Sequence, residues 1–136
     1  MIYVIDHKDS FTHNVVHQLS LFDEVECDNY NNVDKIKLNK AKVIVFSPGP
    51  GNPKNYPLTS KIYNQFKGKK KIIGICLGFQ QILFCEGAQI VEQNKIYHGY
   101  QSDIKVNSKN SLFKKNQIFK VGRYHSLKLK EPFKIK

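Results

Sequence analysis

Apolar residues fall along this chain in short continuous runs that alternate with stretches where they recur at helical spacing. Residues 1–5 form such a run, the signature of a strand buried on both faces. It breaks at Asp6-His7-Lys8-Asp9-Ser10, after which Phe11, Val15, Leu19 and Phe22 mark one face of a helix that Asp9 or Ser10 is placed to cap. Residues 24–27 and 42–46 predict two more strands, and the polar stretch 29–39 between them reads as a loop or an irregular helix. Residues 58–66 predict a helix with Thr59 or Ser60 near its start and Gly68 beyond its end. A further apolar run opens at Lys71, breaks at Cys76, and continues as a helix through Cys85 to a stop at Gly87.

Alternation of this kind from residue 1 to residue 87 predicts a parallel sheet covered by helices. From Ala88 the texture changes: 89–91, 102–106, 118–121 and 127–129 are short, alternating and separated by polar turns, as antiparallel strands added at an edge would be. The expected fold is α/β, a three-layer open, mostly parallel sheet with helices on both faces plus antiparallel edge strands. No linker, repeat or low-complexity segment divides the chain, so its 136 residues are expected to form a single domain.

Two stretches carry candidate chemistry. Gly74-Ile75-Cys76-Leu77-Gly78 is G-x-C-x-G, the pattern of a nucleophile elbow with cysteine in place of serine. A strand turning at once into a helix holds its turning residue in strained geometry, and small neighbours keep clashes away. A thiol there sits at a helix N-terminus, where the positive end of the dipole favours thiolate. The alternative is a core cysteine, since free cysteine is among the most buried residue types. The second stretch, Ser47-Pro48-Gly49-Pro50-Gly51-Asn52-Pro53, leaves the third predicted strand as a fixed turn whose backbone can approach a ligand. By itself it reads first as a rigid surface loop. Its position at the C-terminal end of a strand, where open parallel sheets bind ligands, supports the ligand reading.

Composition narrows the function classes. No apolar run approaches a membrane span and no N-terminal apolar segment carries a cleavage site, so a soluble, cytoplasmic protein without membrane association is expected. Cys27, Cys76 and Cys85 form no C-x-x-C pair and no even set, which argues against a disulfide framework or a metal site. The formal charge of +11 invites nucleic-acid binding. Against it, Arg123 is the only arginine and the lysines are scattered among asparagines, so a solvated lysine face is expected and no nucleic-acid partner.

Three segments now stand in order: Asp6 to Thr12, Ser47 to Pro53, and Gly74 to Gln80. Together they closely resemble class I, triad-type glutamine amidotransferase domains, which have a flavodoxin-like core. Arg123-Tyr124-His125-Ser126-Leu127, with His98, Gly99 and Ser102, resembles the subgroup that serves anthranilate synthase and aminodeoxychorismate synthase. The resemblance implies that Cys76 attacks the side-chain amide of L-glutamine, giving a glutamyl thioester and ammonia. It further implies backbone N–H groups of Gly51 and Leu77 as the oxyanion site, and Gly49, Pro50, Gly51, Gln80, Ser126 and Leu127 as glutamine contacts. No cofactor is implied. The implied partner is a chorismate-binding synthase subunit, in a heteromeric complex, that receives the ammonia.

The sequence departs from that family in one respect. Members complete the triad with histidine and glutamate in a His-Pro-Glu-type motif several dozen residues after the Arg-Tyr-His-Ser segment, and no His-Pro-Glu occurs in this chain. The expectation is a domain incomplete at its C-terminus and lacking the final elements, with an exposed sheet edge and core surface open to self-association or to a covering partner, and a frayed tail over residues 131–136. None of the five histidines is an evident replacement: His125 adjoins the glutamine-contacting Ser126, His98 matches a structural turn, and His7, His13 and His17 fall on the first loop and helix. His7 and Phe79 stand where relatives commonly show asparagine and histidine. The readings to separate are a glutaminase subunit, a pseudo-glutaminase that holds glutamine or docks without turnover, and a basic nucleic-acid-binding protein.

Overall fold

The computed structural model describes residues 1–108 and 112–133, in two compact units: residues 1–90 with the tail from Leu129, and residues 91–128. The expected fraying falls partly on residues 134–136, outside the described residues.

In the first unit, β1 (Ile2–Asp6), β2 (Val25–Asn29), β3 (Val43–Phe46) and β4 (Lys71–Gly74) form one parallel sheet in the order β2-β1-β3-β4. The continuous apolar runs are explained by burial on both faces. Successive side chains of a strand point to opposite faces. Tyr3, Ile5, Ile44 and Phe46 therefore share one face, where they pack with Leu38, Tyr63 and Phe66. Ile2, Val4 and Val45 share the other with Val15, backed by Val16 and Leu19. Helices α2 (Lys35–Lys40), α3 (Pro57–Phe66) and α4 (Leu77–Cys85) thus supply one layer and α1 (Thr12–Ser20) the opposite one.

Local signals behave as their chemistry dictates, with three differences from expectation. Helix α1 is shorter than residues 11–22, and both terminal phenylalanines are exposed. Asp9 accepts the Phe11 N–H at 2.8 Å, one residue before the helix, so it shapes the entry turn and makes no cap bond within the helix. The stretch 29–39 contains a regular helical segment, because Asp34 Oδ1 accepts from the N–H groups of Ile36 (2.8 Å) and Lys37 (3.1 Å). At the end of α4, the Ala88 N–H reaches the Leu83 carbonyl at 2.9 Å around Gly87, whose φ is +91°, the geometry that commonly ends a helix.

β4 is one of the two outer strands of the sheet, and Ile73, on the α1 face, is 47% exposed. Beside it a shallow groove of about 580 Å³ is lined by Phe11, Val15, Leu19 and Ile75. In the second unit the four short strands expected are two long ones. β5 (Ile90–Lys105) and β6 (Ile118–Leu129) pair antiparallel in a two-stranded sheet of their own. Among the described residues no helix is long and apolar enough to cross a membrane.

Candidate active site

β4 and α4 are separated by only Ile75 and Cys76. The Ile75 N–H continues the ladder to the Phe46 carbonyl at 3.0 Å, and the Cys76 carbonyl already accepts from Gln80 at 3.1 Å. The chain therefore reverses its geometry within one residue, and Cys76 takes φ +53°, ψ −108°. For a residue with a Cβ this conformation costs on the order of 1–3 kcal/mol, and it persists because the surroundings over-determine it. Helix and strand are nearly in backbone contact. A Cβ on Gly78 would lie 2.2 Å from the Phe46 carbonyl oxygen, and one on Gly74 would lie 2.4 Å from the Gly78 carbonyl. The glycines of G-x-C-x-G are thus required by close approach.

The Cys76 thiol is half-buried. Burial pushes its pKa up, the Leu77 N–H works against that, and the Asp9 carboxylate adds to the rise. The net direction is upward, so the expected thiolate preference at the helix N-terminus is outweighed by desolvation.

The proline-glycine loop lies against this elbow. A Cβ on Gly49 would fall 2.5 Å from both the His7 Cβ and the Leu77 Cδ2, so the loop backbone passes between the end of β1 and the first residue of α4. Tyr56 donates its hydroxyl to the Pro50 carbonyl at 2.7 Å. Asn52 and Asn55 close the loop reciprocally: Asn52 accepts from the Lys54 N–H, and Asn55 Oδ1 accepts from the Asn52 N–H at 2.9 Å. Gly51 itself has φ +76°.

Of the residues singled out in the sequence, Gly49, Pro50, Gly51, Cys76, Leu77 and Gln80 all belong to the sheet unit, with Leu77 buried and Gln80 half-buried one turn into α4. Ser126 and Leu127 lie on β6 in the hairpin unit, Ser126 exposed and the Leu127 carbonyl accepting from Gln93 Nε2 at 3.0 Å. In that same unit the Arg123 guanidinium stacks over the Tyr97 ring at 3.6 Å, and His98 meets Tyr124 edge-on. No group of His, Cys, Asp and Glu able to hold a metal occurs among the described residues.

His7, which the sequence places on the first loop, is fully buried, and desolvation lowers its pKa to about 4, against smaller upward effects from Ser47 and Asp6. The signal for it lay in strand parity, since Tyr3, Ile5 and His7 are spaced by two and share a face.

A parallel sheet, a strained cysteine between two close-packed glycines, and a proline-glycine loop set against it define one class of protein. The profile of the family described as "Glutamine amidotransferase class-I" matches residues 3–136, and the chain belongs to that family. Within it, the chain is 36% identical over 139 residues to anthranilate synthase component 2 of Lactococcus lactis, covering 96% of this chain and 67% of the relative. It is 33% identical over 133 residues to the aminodeoxychorismate/anthranilate synthase component 2 of Bacillus subtilis, covering 96% of this chain and 69% of the relative. A glutamine amido transferase structure from Methylobacillus flagellatus superposes with a TM-score of 0.75 at 12% identity, over 97% of this chain and 57% of that one. The chain thus spans about two thirds of these two relatives, and less of that structure.

Proposed function

We propose that this chain is the glutamine-handling module of a synthase that aminates chorismate. Cys76 carries the reading: a thiol held in a conformation that only a specific packing can maintain, at the C-terminal end of a parallel strand, with a proline-glycine loop packed on the adjacent Leu77. In the proposed reaction, Cys76 loses its proton and attacks the side-chain carbonyl carbon of glutamine. The oxyanion is stabilised by the N–H groups of Gly51 and Leu77. As the C–N bond breaks, the proton that Cys76 lost is delivered to the leaving nitrogen, which departs as ammonia, and water then hydrolyses the thioester to glutamate and restores the thiol. Gly49, Pro50 and Gln80 would contact the glutamine. The partner reading rests on the relatives, whose names are those of anthranilate and aminodeoxychorismate synthase components.

A second reading, a module that holds glutamine without turnover, is favoured by one observation. Burial of the Cys76 thiol pushes its pKa up, which works against the thiolate that attack on glutamine requires. The experiment is incubation of the folded chain with glutamine, with and without a chorismate-binding synthase subunit, reading ammonia release and an acid-quenched adduct on Cys76 by mass spectrometry. Adduct plus ammonia supports the first reading. Glutamine binding without either, unchanged in Cys76→Ala, supports the second, and no binding of any kind refutes both.

A further inference from the structure

His7 makes no contact that the proposed chemistry requires, yet both of its ring nitrogens are hydrogen-bonded beneath the loop. Its backbone N–H donates to Ser47 Oγ at 2.9 Å, and that hydroxyl donates onward to the Pro48 carbonyl at 2.6 Å. Its Nδ1 lies 3.2 Å from the Ser47 carbonyl oxygen and its Nε2 lies 3.0 Å from Thr59 Oγ1. A carbonyl can only accept, so Nδ1 carries the hydrogen and Nε2 accepts from the Thr59 hydroxyl. One neutral imidazole therefore ties together the end of β1, the root of the proline-glycine loop and the first turn of α3. The rings of Tyr56, at 4.8 Å, and Tyr30, at 6.0 Å, enclose it, and Gly49 rests on its Cβ.

Few side chains fit this place. A leucine would fill the volume but leave the Ser47 carbonyl and the Thr59 hydroxyl buried without their partner, which costs more than the hydrogen bonds gain. An asparagine could reach the carbonyl but is too short to span to Thr59 as well. We propose that His7 is a positioning residue: its two ring hydrogen bonds fix the Ser47 to Gly51 backbone against Leu77, and so set the spacing of the two N–H groups assigned to the oxyanion. The assignment of those N–H groups rests on the function proposed above; the fixing of the loop does not.

The test is amide hydrogen exchange on the folded chain, comparing the loop amides of Gly49 and Gly51 with the strand amides of Val4 and Val45. Thr59→Val removes the partner of Nε2 alone, and His7→Leu removes both ring bonds. Should His7→Leu fail to fold, Thr59→Val decides. The expected result is exchange at Gly49 and Gly51 roughly tenfold faster in Thr59→Val, the equivalent of one buried hydrogen bond, with Val4 and Val45 unchanged. Loop exchange at the wild-type rate, or loop and strand amides accelerating by the same factor, overturns the proposal. On the same wild-type sample, labelling of Cys76 by an electrophilic glutamine analogue is read separately. Its absence counts against the proposed function and leaves the exchange result to decide the role of His7.

Discussion

Acidification should expose the energetic consequence of burying His7. Its pKa falls from 6.5 to about 4, because burial penalises the imidazolium more than Asp6 and the Ser47 backbone support it. The groups around it are Asp6 and Lys8 on its own segment, Ser47 from the loop, Thr59 from α3, and the Tyr30 and Tyr56 rings, with the Lys8 ammonium over Tyr30. Above the unfolded pKa both states carry a neutral ring and nothing is lost. As pH falls below it, the unfolded chain binds a proton that the folded chain refuses, so stability drops with pH and levels off only below the folded value. Between about pH 7 and about pH 5 this amounts to a loss of about 2 kcal/mol, approaching about 3 kcal/mol near pH 4. Urea denaturation of the wild type and of His7→Asn across that window measures it. The variant starts less stable, but it lacks this proton-linked slope. Asp23, held low by the N-terminal ammonium, and Glu86, held low by Lys67 and Tyr63, lose their stabilisation as the pH becomes more acidic still, and do so in both proteins. Parallel loss of stability by the two proteins between about pH 7 and about pH 5 would refute the reasoning.

Two further outcomes follow from packing and capping. Gly78→Ala drives a Cβ into the Phe46 backbone at 2.2 Å and is expected to cost about 3 kcal/mol or more, whereas Gly68→Ala, with nothing within 4 Å, costs only about 1 kcal/mol for its φ; urea midpoints of the two variants compare them. Asp34→Ala strands the N–H groups of Ile36 and Lys37 at the start of α2 and is expected to cost about 1 kcal/mol, read as a lowered thermal midpoint without change in the far-ultraviolet spectrum of the remaining helices.

The parallel sheet was legible because burial on both faces leaves continuous apolar runs, and the elbow because its glycines are demanded by backbone contact. What the sequence concealed has physical reasons. Helix α2 is six residues long with one buried side chain, Leu38, so its start signal at Asp34 stands without a periodic stripe to follow. β5 and β6 form a two-stranded ribbon in which no residue is fully buried, so polar residues interrupt the apolar pattern and one long strand reads as two short ones. The raised thiol of Cys76 was hidden because the helix N-terminus is visible in sequence and desolvation is not. His7 was hidden because its partners, Ser47 and Thr59, are 40 and 52 residues away.

The strand order carries a consequence for how the chain leaves the ribosome. Central β1 is made before the other strands of its sheet, yet its partners are β2, beginning at Val25, and β3, beginning at Val43, while β4 completes the ladder only at Lys71. At ordinary elongation rates this leaves β1 incompletely paired for on the order of several seconds, against microseconds for local structure to form. During that interval an apolar segment with open hydrogen-bonding edges is exposed to every other nascent chain nearby, so yield in a producing cell should depend on translation speed and on chaperones that shelter the first forty residues.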